Sequence, residues 1–142
     1  MILLDTNILS ELMRPAPEAA VERWLAGQPP ASVFISAITE AELRYGLALM
    51  PVGRRRSTIA AEIEGMLGED FRGRILPFDS PAAVAFAEIA ADRRQAGRPI
   101  SQADAQIAAI ARSRGAALAT RNVADFEGCG IEVVNPWKDA AV

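Results

Sequence analysis

The sequence contains no histidine and a single cysteine, Cys129. Without histidine, Ser-His-Asp and Cys-His hydrolysis, imidazole acid–base catalysis and most zinc and iron sites are excluded. A lone cysteine forms neither an internal disulfide nor a cysteine-based zinc site, a usage that fits a reducing compartment. Long apolar runs are missing as well: no stretch approaches the roughly 20 residues needed to cross a bilayer. The N-terminus lacks the basic-then-apolar order of a signal peptide, so the expected location is cytoplasmic, with no membrane partner. Lys138 is the only lysine among 15 cations. Arginine suits phosphate recognition, and a codon bias would leave the same signature.

What is present is ordinary for a folded protein. The 142 residues are 51% hydrophobic and 23% charged, which excludes disorder and fits a single domain, 1–142. Net charge is −3, so any nucleic acid must be held by a local patch rather than by the whole surface.

Short apolar runs alternate with helical stretches. Residues 1–5, 33–35, 75–78, 117–119 and 131–134 read as strands. Helices are expected from Thr6, as cap, to about Met13; from Pro17 to Ala26; from Thr39 to Leu49; over 54–71; from Asp79 or Ser80 to Ala96; and from Ser101 to near Gly115. Arg14-Pro15, Gly27, Gly97-Arg98-Pro99 and Gly115 punctuate them. This alternation predicts an α/β fold, a three-layer α/β/α sandwich around a central parallel five-stranded sheet. Ligands of such sheets sit beyond the carboxyl ends of the strands, where strand order reverses. Asp5 follows directly on the apolar run Ile2-Leu3-Leu4, at such an end.

Three further acids have related settings: Glu42 in Thr39-Glu-Ala-Glu, Asp104 in Ser101-Gln-Ala-Asp, and Asp125 in Asn122-Val-Ala-Asp. A capping residue followed three positions later by an acid is also the capping-box pattern, and acids near helix N-termini are favoured by the dipole. For Glu42 alone the capping reading is the stronger. For Asp104 and Asp125 it is weaker, because the box prefers Glu or Gln. Taken together, Asp5, Glu42 and Asp125 fall at one end of the sheet, and Asp104 opens a helix able to point there. Carboxylates sharing a pocket resist ionising together, and a hard divalent cation such as Mg²⁺ or Mn²⁺ removes that penalty through oxygen ligands. Water activated by such a cation is a natural nucleophile for a chain without histidine. Thr6, Thr120 and Asn122 either cap helices or support these carboxylates from behind.

The segments LLDTNILSEL, ITEAELRYGL, SQADAQIAAIA and LATRNVADF, followed by VVNPW, resemble a PIN-domain ribonuclease, and more narrowly the VapC-type toxins of bacterial toxin–antitoxin pairs. The likeness runs in order over the whole chain. It implies a Mg²⁺- or Mn²⁺-dependent endoribonuclease with Asp5, Glu42 and Asp104 as metal ligands, and with Thr6, Asn7 and Thr120 supporting them. It also implies a homodimer and a small cognate VapB-like antitoxin that blocks the pocket, often with an arginine. Where many PIN domains carry a fourth acid, two residues after the threonine, this chain has Asn122. The nearest acid is Asp125, which ranks below the other three as a catalytic residue.

For RNA, Arg54, Arg55 and Arg56, with Arg93, Arg94 and Arg98, are the evident backbone contacts, against the alternative of solvated helix faces. Tyr45 and Trp24 read as core or interface residues rather than base-stacking platforms. A second functional reading stays open: a PIN-like module that keeps the acidic pocket but is catalytically silent and works by binding a partner or nucleic acid.

Overall fold

Ile2, Leu3 and Leu4 are all buried, and the strand they form lies at the centre of the sheet. The computed structural model describes residues 1–139; the last three residues of the expected domain lie outside them. In chain order the elements are β1 (Ile2–Leu4), α1 (Thr6–Leu12), α2 (Ala19–Ala26), β2 (Val33–Ser36), α3 (Ala37–Ala48), α4 (Arg54–Gly65), β3 (Ile75–Leu76), α5 (Ser80–Gln95), α6 (Gln102–Arg114), β4 (Ala117–Ala119), β5 (Val133–Val134) and α7 (Pro136–Asp139). Short 3₁₀ turns cover Pro30–Ser32 and Val123–Phe126.

The five strands pair in the order β3-β2-β1-β4-β5, all parallel, as the alternation of strands and helices predicts. Successive strand residues point to opposite faces, so β1 feeds two cores. Leu3 and Leu118 pack with Ala82, Ala85 and Ile89 of α5 and with Ile107 and Ile110 of α6. Ile2, Leu4 and Ile35 face the other way, onto Ile8, Leu9, Val21, Leu43 and Ile63. Helices therefore cover both faces, giving three layers. Chain order runs outward from β1 through β2 to β3, then returns to β4 on the far side of β1. Strand order reverses between β1 and β4, and Asp5 follows β1 at that point.

Several expected boundaries move for local reasons. Asp5, not Thr6, caps α1: the Asp5 carboxylate accepts from the Thr6 amide. Helix α3 begins two residues before Thr39, because the Ser36 hydroxyl accepts from the Thr39 amide. Thr39 is thus the third helical residue, and Glu42, a turn further on, is released from the capping box. β3 stops before Pro77, which has no amide to give a ladder. The stretch 54–71 is helical only to Gly65 and then widens into a π turn over Met66–Asp70. Asp79 caps α5, and Ser101 caps α6 as expected. Gly115 takes φ 66° to end α6 just before β4, a conformation glycine adopts without strain. Tyr45, read as core or interface, is 67% exposed and so is no core residue, while Trp24 packs partly buried on the α1–α2 side. No helix among the described residues is long and apolar enough to cross a membrane.

Leu118 is fully buried on a strand with neighbours on both sides. Leu118→Ala should cost about 2–5 kcal/mol, read as a lower urea midpoint with an unchanged denaturant slope.

Candidate active site

Asp5 is 5% exposed, and each of its oxygens is engaged. Oδ1 accepts from the Thr6 amide at 2.8 Å. Oδ2 accepts from the Thr120 hydroxyl at 2.7 Å and from Asn7 Nδ2 at 3.4 Å. Asn7 Nδ2 also donates to Thr120 Oγ1 (3.2 Å), and Asn7 Oδ1 accepts from the Arg121 amide (3.3 Å). The Asn122 amide completes the cluster by donating to Thr120 Oγ1 at 3.1 Å. Thr120 is fully buried. Its hydroxyl has one hydrogen and two lone pairs, and here each has a partner. Asp5 and Thr120 end neighbouring strands; the Asp5 amide donates to the Ala119 carbonyl at 2.9 Å. The strand ends thus fix the cluster.

Glu42 reaches the same edge from α3. Its Oε1 accepts from the Thr6 hydroxyl at 2.7 Å, and Thr6 Oγ1 lies 3.0 Å from Thr39 Oγ1. Thr39 in turn sits 3.4 Å from the Ser36 hydroxyl. The supporting role expected of Thr6 therefore extends to Thr39, which the sequence offered only as a helix cap, and to Ser36, which sequence reasoning passed over. Their signal lay in VFISAIT, where Ser36 ends a strand and stands three residues before Thr39.

Asp104 is the third residue of α6, its amide donating to Ser101 Oγ at 3.2 Å. Burial pushes its carboxyl above the ordinary 3.8; the contact with Ser101 lowers it, Asp125 and Glu42 raise it, and Arg93 lowers it. The Asp5 carboxyl is also raised, first by burial, then by Asp104 and Glu42, against the lowering hydrogen bonds of Thr120 and Thr6. These four acids therefore act on one another across a single edge, even though Glu42 and Asp125 are exposed. Among the described residues no three acidic side chains close around one point as a metal cage. The donors are all oxygen, and carboxylates that resist ionising together suit a hard divalent cation.

A cleft of about 800 Å³ opens beside Thr6 and Glu42, walled by Met13, Leu43, Leu47, Arg54 and Arg55. Arg56 is turned back onto the Met50 carbonyl (3.3 Å). Arg93, read as an RNA contact, is buried and bound to backbone carbonyls, because α5 packs its face against the core. Arg98 pairs with Glu127 at 3.0 Å. Arg121 was missed: it is exposed, stacks 5.1 Å over the Trp137 ring, and with Lys138, Asn122 and Asp125 lines a second, polar depression. Its position directly after Thr120 was the available signal.

The raised Asp5 carboxyl has a consequence for stability. The unfolded group titrates near 3.8, the folded one higher, so the folded chain holds a proton that the unfolded chain has released. Stability is therefore greatest below that lower value and falls as pH rises through the folded one. In EDTA, the melting temperature of Asp5→Asn relative to wild type should therefore rise from pH 3 to neutral pH in a series of thermal melts, on top of the pH-independent cost of replacing one acceptor oxygen by an NH2 group.

The PIN domain family matches residues 2–127. A VapC ribonuclease of Sinorhizobium fredii, Y4jK, is 43% identical over 140 residues, spanning 99% of this chain and 100% of its own. The solved structure of FitAcB from Neisseria gonorrhoeae superposes with a TM-score of 0.91 at 41% identity, covering 97% of this chain and 99% of that one. A toxin–antitoxin complex from Klebsiella pneumoniae contains a chain similar at a TM-score of 0.69 and 28% identity, over 96% of this chain and 98% of the other. Sequence and fold agree over nearly the full length, and the chain belongs to the PIN-domain family.

Proposed function

We propose that this protein is a divalent-metal-dependent endoribonuclease and the toxin of a type II toxin–antitoxin pair. The observation that carries the reading is the buried Asp5 carboxylate, held by Thr6, Thr120 and Asn7 at the strand-order switch with Asp104 and Glu42 acting on it. Similarity to a protein named a VapC ribonuclease gives the reaction class. Asp5, Asp104 and Glu42 would hold Mg²⁺ or Mn²⁺, with Asp125 or Asn122 at the margin. When bound, such a cation lowers the pKa of water and offsets charge developing on a phosphoryl group.

The chain's own residues supply orientation. Thr120 and Asn7 hold Asp5 Oδ2 and the Thr6 amide holds Oδ1, while the Thr6 hydroxyl steadies Glu42 from the neighbouring helix. Ser101 holds the first turn of α6, and with it Asp104. Arg54 and Arg55, in the cleft that begins at Glu42, stand where an RNA backbone leaving the acidic edge would meet positive charge. The same cleft has an apolar wall beside the acids. It would suit a segment of a small antitoxin whose arginine pairs with the carboxylates, as similarity to a chain from a toxin–antitoxin complex supports. The active form is taken to be a cytoplasmic homodimer.

Purified protein should cleave RNA in Mn²⁺ and stop in EDTA. Asp5→Asn should abolish cleavage, and Thr120→Val should lower it about 10–100-fold, the usual effect of losing a group that orients a metal ligand. Cleavage that survives in Asp5→Asn sinks the assignment. Mn²⁺ binding by calorimetry with no cleavage of any RNA favours the silent module instead.

A further inference from the structure

Arg93 carries a full positive charge into the interior and pairs with no carboxylate there. It lies on α5, is 8% exposed, and takes part in none of the ion pairs among the described residues. A buried charge is costly unless other groups replace its lost water. Here the replacements are mainly backbone carbonyls. Nε donates to the Arg98 carbonyl at 2.7 Å, and Nη1 to those of Asp125 at 2.8 Å and Glu127 at 3.1 Å, with Cys129 Sγ at 3.7 Å.

These acceptors belong to two separate segments. Arg98 sits in the turn between α5 and α6, three residues before Ser101, whose hydroxyl receives the Asp104 amide. Asp125 and Glu127 belong to the turn that follows β4. The planar fork of a guanidinium spans both segments at once, which the compact ammonium of lysine cannot do.

We propose that Arg93 is a positioning residue of the acidic edge: its guanidinium ties the α5–α6 turn to the turn bearing Asp125 and so sets the spacing between Asp104 and Asp125. The inference rests on reading that edge as the cation-binding site. A cation that only stabilised the core would affect the whole fold. A clamp of this kind acts on two turns and leaves the sheet as it is.

Cys129 is the only thiol in the chain and is 1% exposed, so its labelling by a soluble disulfide reagent reports opening of the second turn. In Arg93→Lys and Arg93→Met, labelling should accelerate at least about tenfold, as expected of local opening, while far-UV circular dichroism stays that of wild type. The Mn²⁺ dissociation constant from calorimetry should rise about 10–100-fold in both variants. Wild-type labelling rates in the folded variants overturn the clamp. Faster labelling with unchanged Mn²⁺ affinity overturns its link to the site. A wild-type protein that binds no Mn²⁺ overturns the metal reading, and the labelling rates still decide the clamp. If neither variant folds, hydrogen exchange in wild type decides. The Arg98, Asp125, Glu127 and Cys129 amides should then show protection within about tenfold of one another, as one cooperative unit does. A wider spread overturns the clamp.

Discussion

The hydrogen bond from the Thr120 hydroxyl to Asp5 Oδ2, 2.7 Å long, joins residues 115 apart in the chain. It forms because β1 and β4 are register neighbours, Leu4 opposite Ala119, so that the residues following each strand emerge side by side. Asn7 and the Asn122 amide occupy the remaining lone pairs of the same hydroxyl, which leaves it no freedom to rotate. The acidic edge is built outward from this contact. Glu42 is hung from Thr6, the residue after Asp5, and Arg121 has its backbone pinned by Asn7.

Holding that carboxylate costs stability, because burial and the neighbouring Asp104 and Glu42 all oppose its ionisation. Hydrogen bonds from Thr120 and Thr6 offset part of the cost. The helix caps place the acids of the edge differently. Because Ser36 caps α3, Glu42 lies beyond the capping position and is left to the edge, whereas Asp104 is the third residue of the Ser101-capped helix and stays in contact with Ser101. Elsewhere a buried acid has the opposite balance. Glu11 accepts from the Glu18 amide and from Arg14, which hold its carboxyl below the usual range and close the link between α1 and α2. The contrast is between a carboxylate whose partners favour its charge and carboxylates whose surroundings oppose it.

The cations show how far residue type alone can lead. Arg93, Arg98 and Arg56 stand in arginine-rich stretches that read either as RNA-backbone contacts or as solvated helix faces. Packing sends them to three ends: the interior, an ion pair with Glu127, and the Met50 carbonyl. Arg54 and Arg55 alone of that cluster face the cleft beside Glu42. Arg121, which belongs to no basic run, is nearest in sequence to the Asp5 cluster and rests on Trp137. Each outcome depends on a partner more than five residues away or on a turn whose path local composition does not encode.

By itself the sequence determined the parallel α/β architecture, since apolar runs too short for anything but strands alternate with capped helices. It also narrowed the chemistry open to the chain, because a protein without histidine is left with carboxylates, hydroxyls, amides, arginines or a hard cation bound through oxygen. The place of Asp5 followed from the same pattern, as the residue after a fully buried strand. Only the tertiary structure decided what those acids touch. Whether Thr6 caps a helix or supports Glu42, whether Thr39 starts α3 or follows Ser36, and where Arg93 goes are set by strands and turns brought together across long sequence separations. Periodicity and capping act within a few residues, whereas the hydrogen bonds that join the separate segments of the edge span 33 to 115 residues, and only the closed sheet supplies their partners.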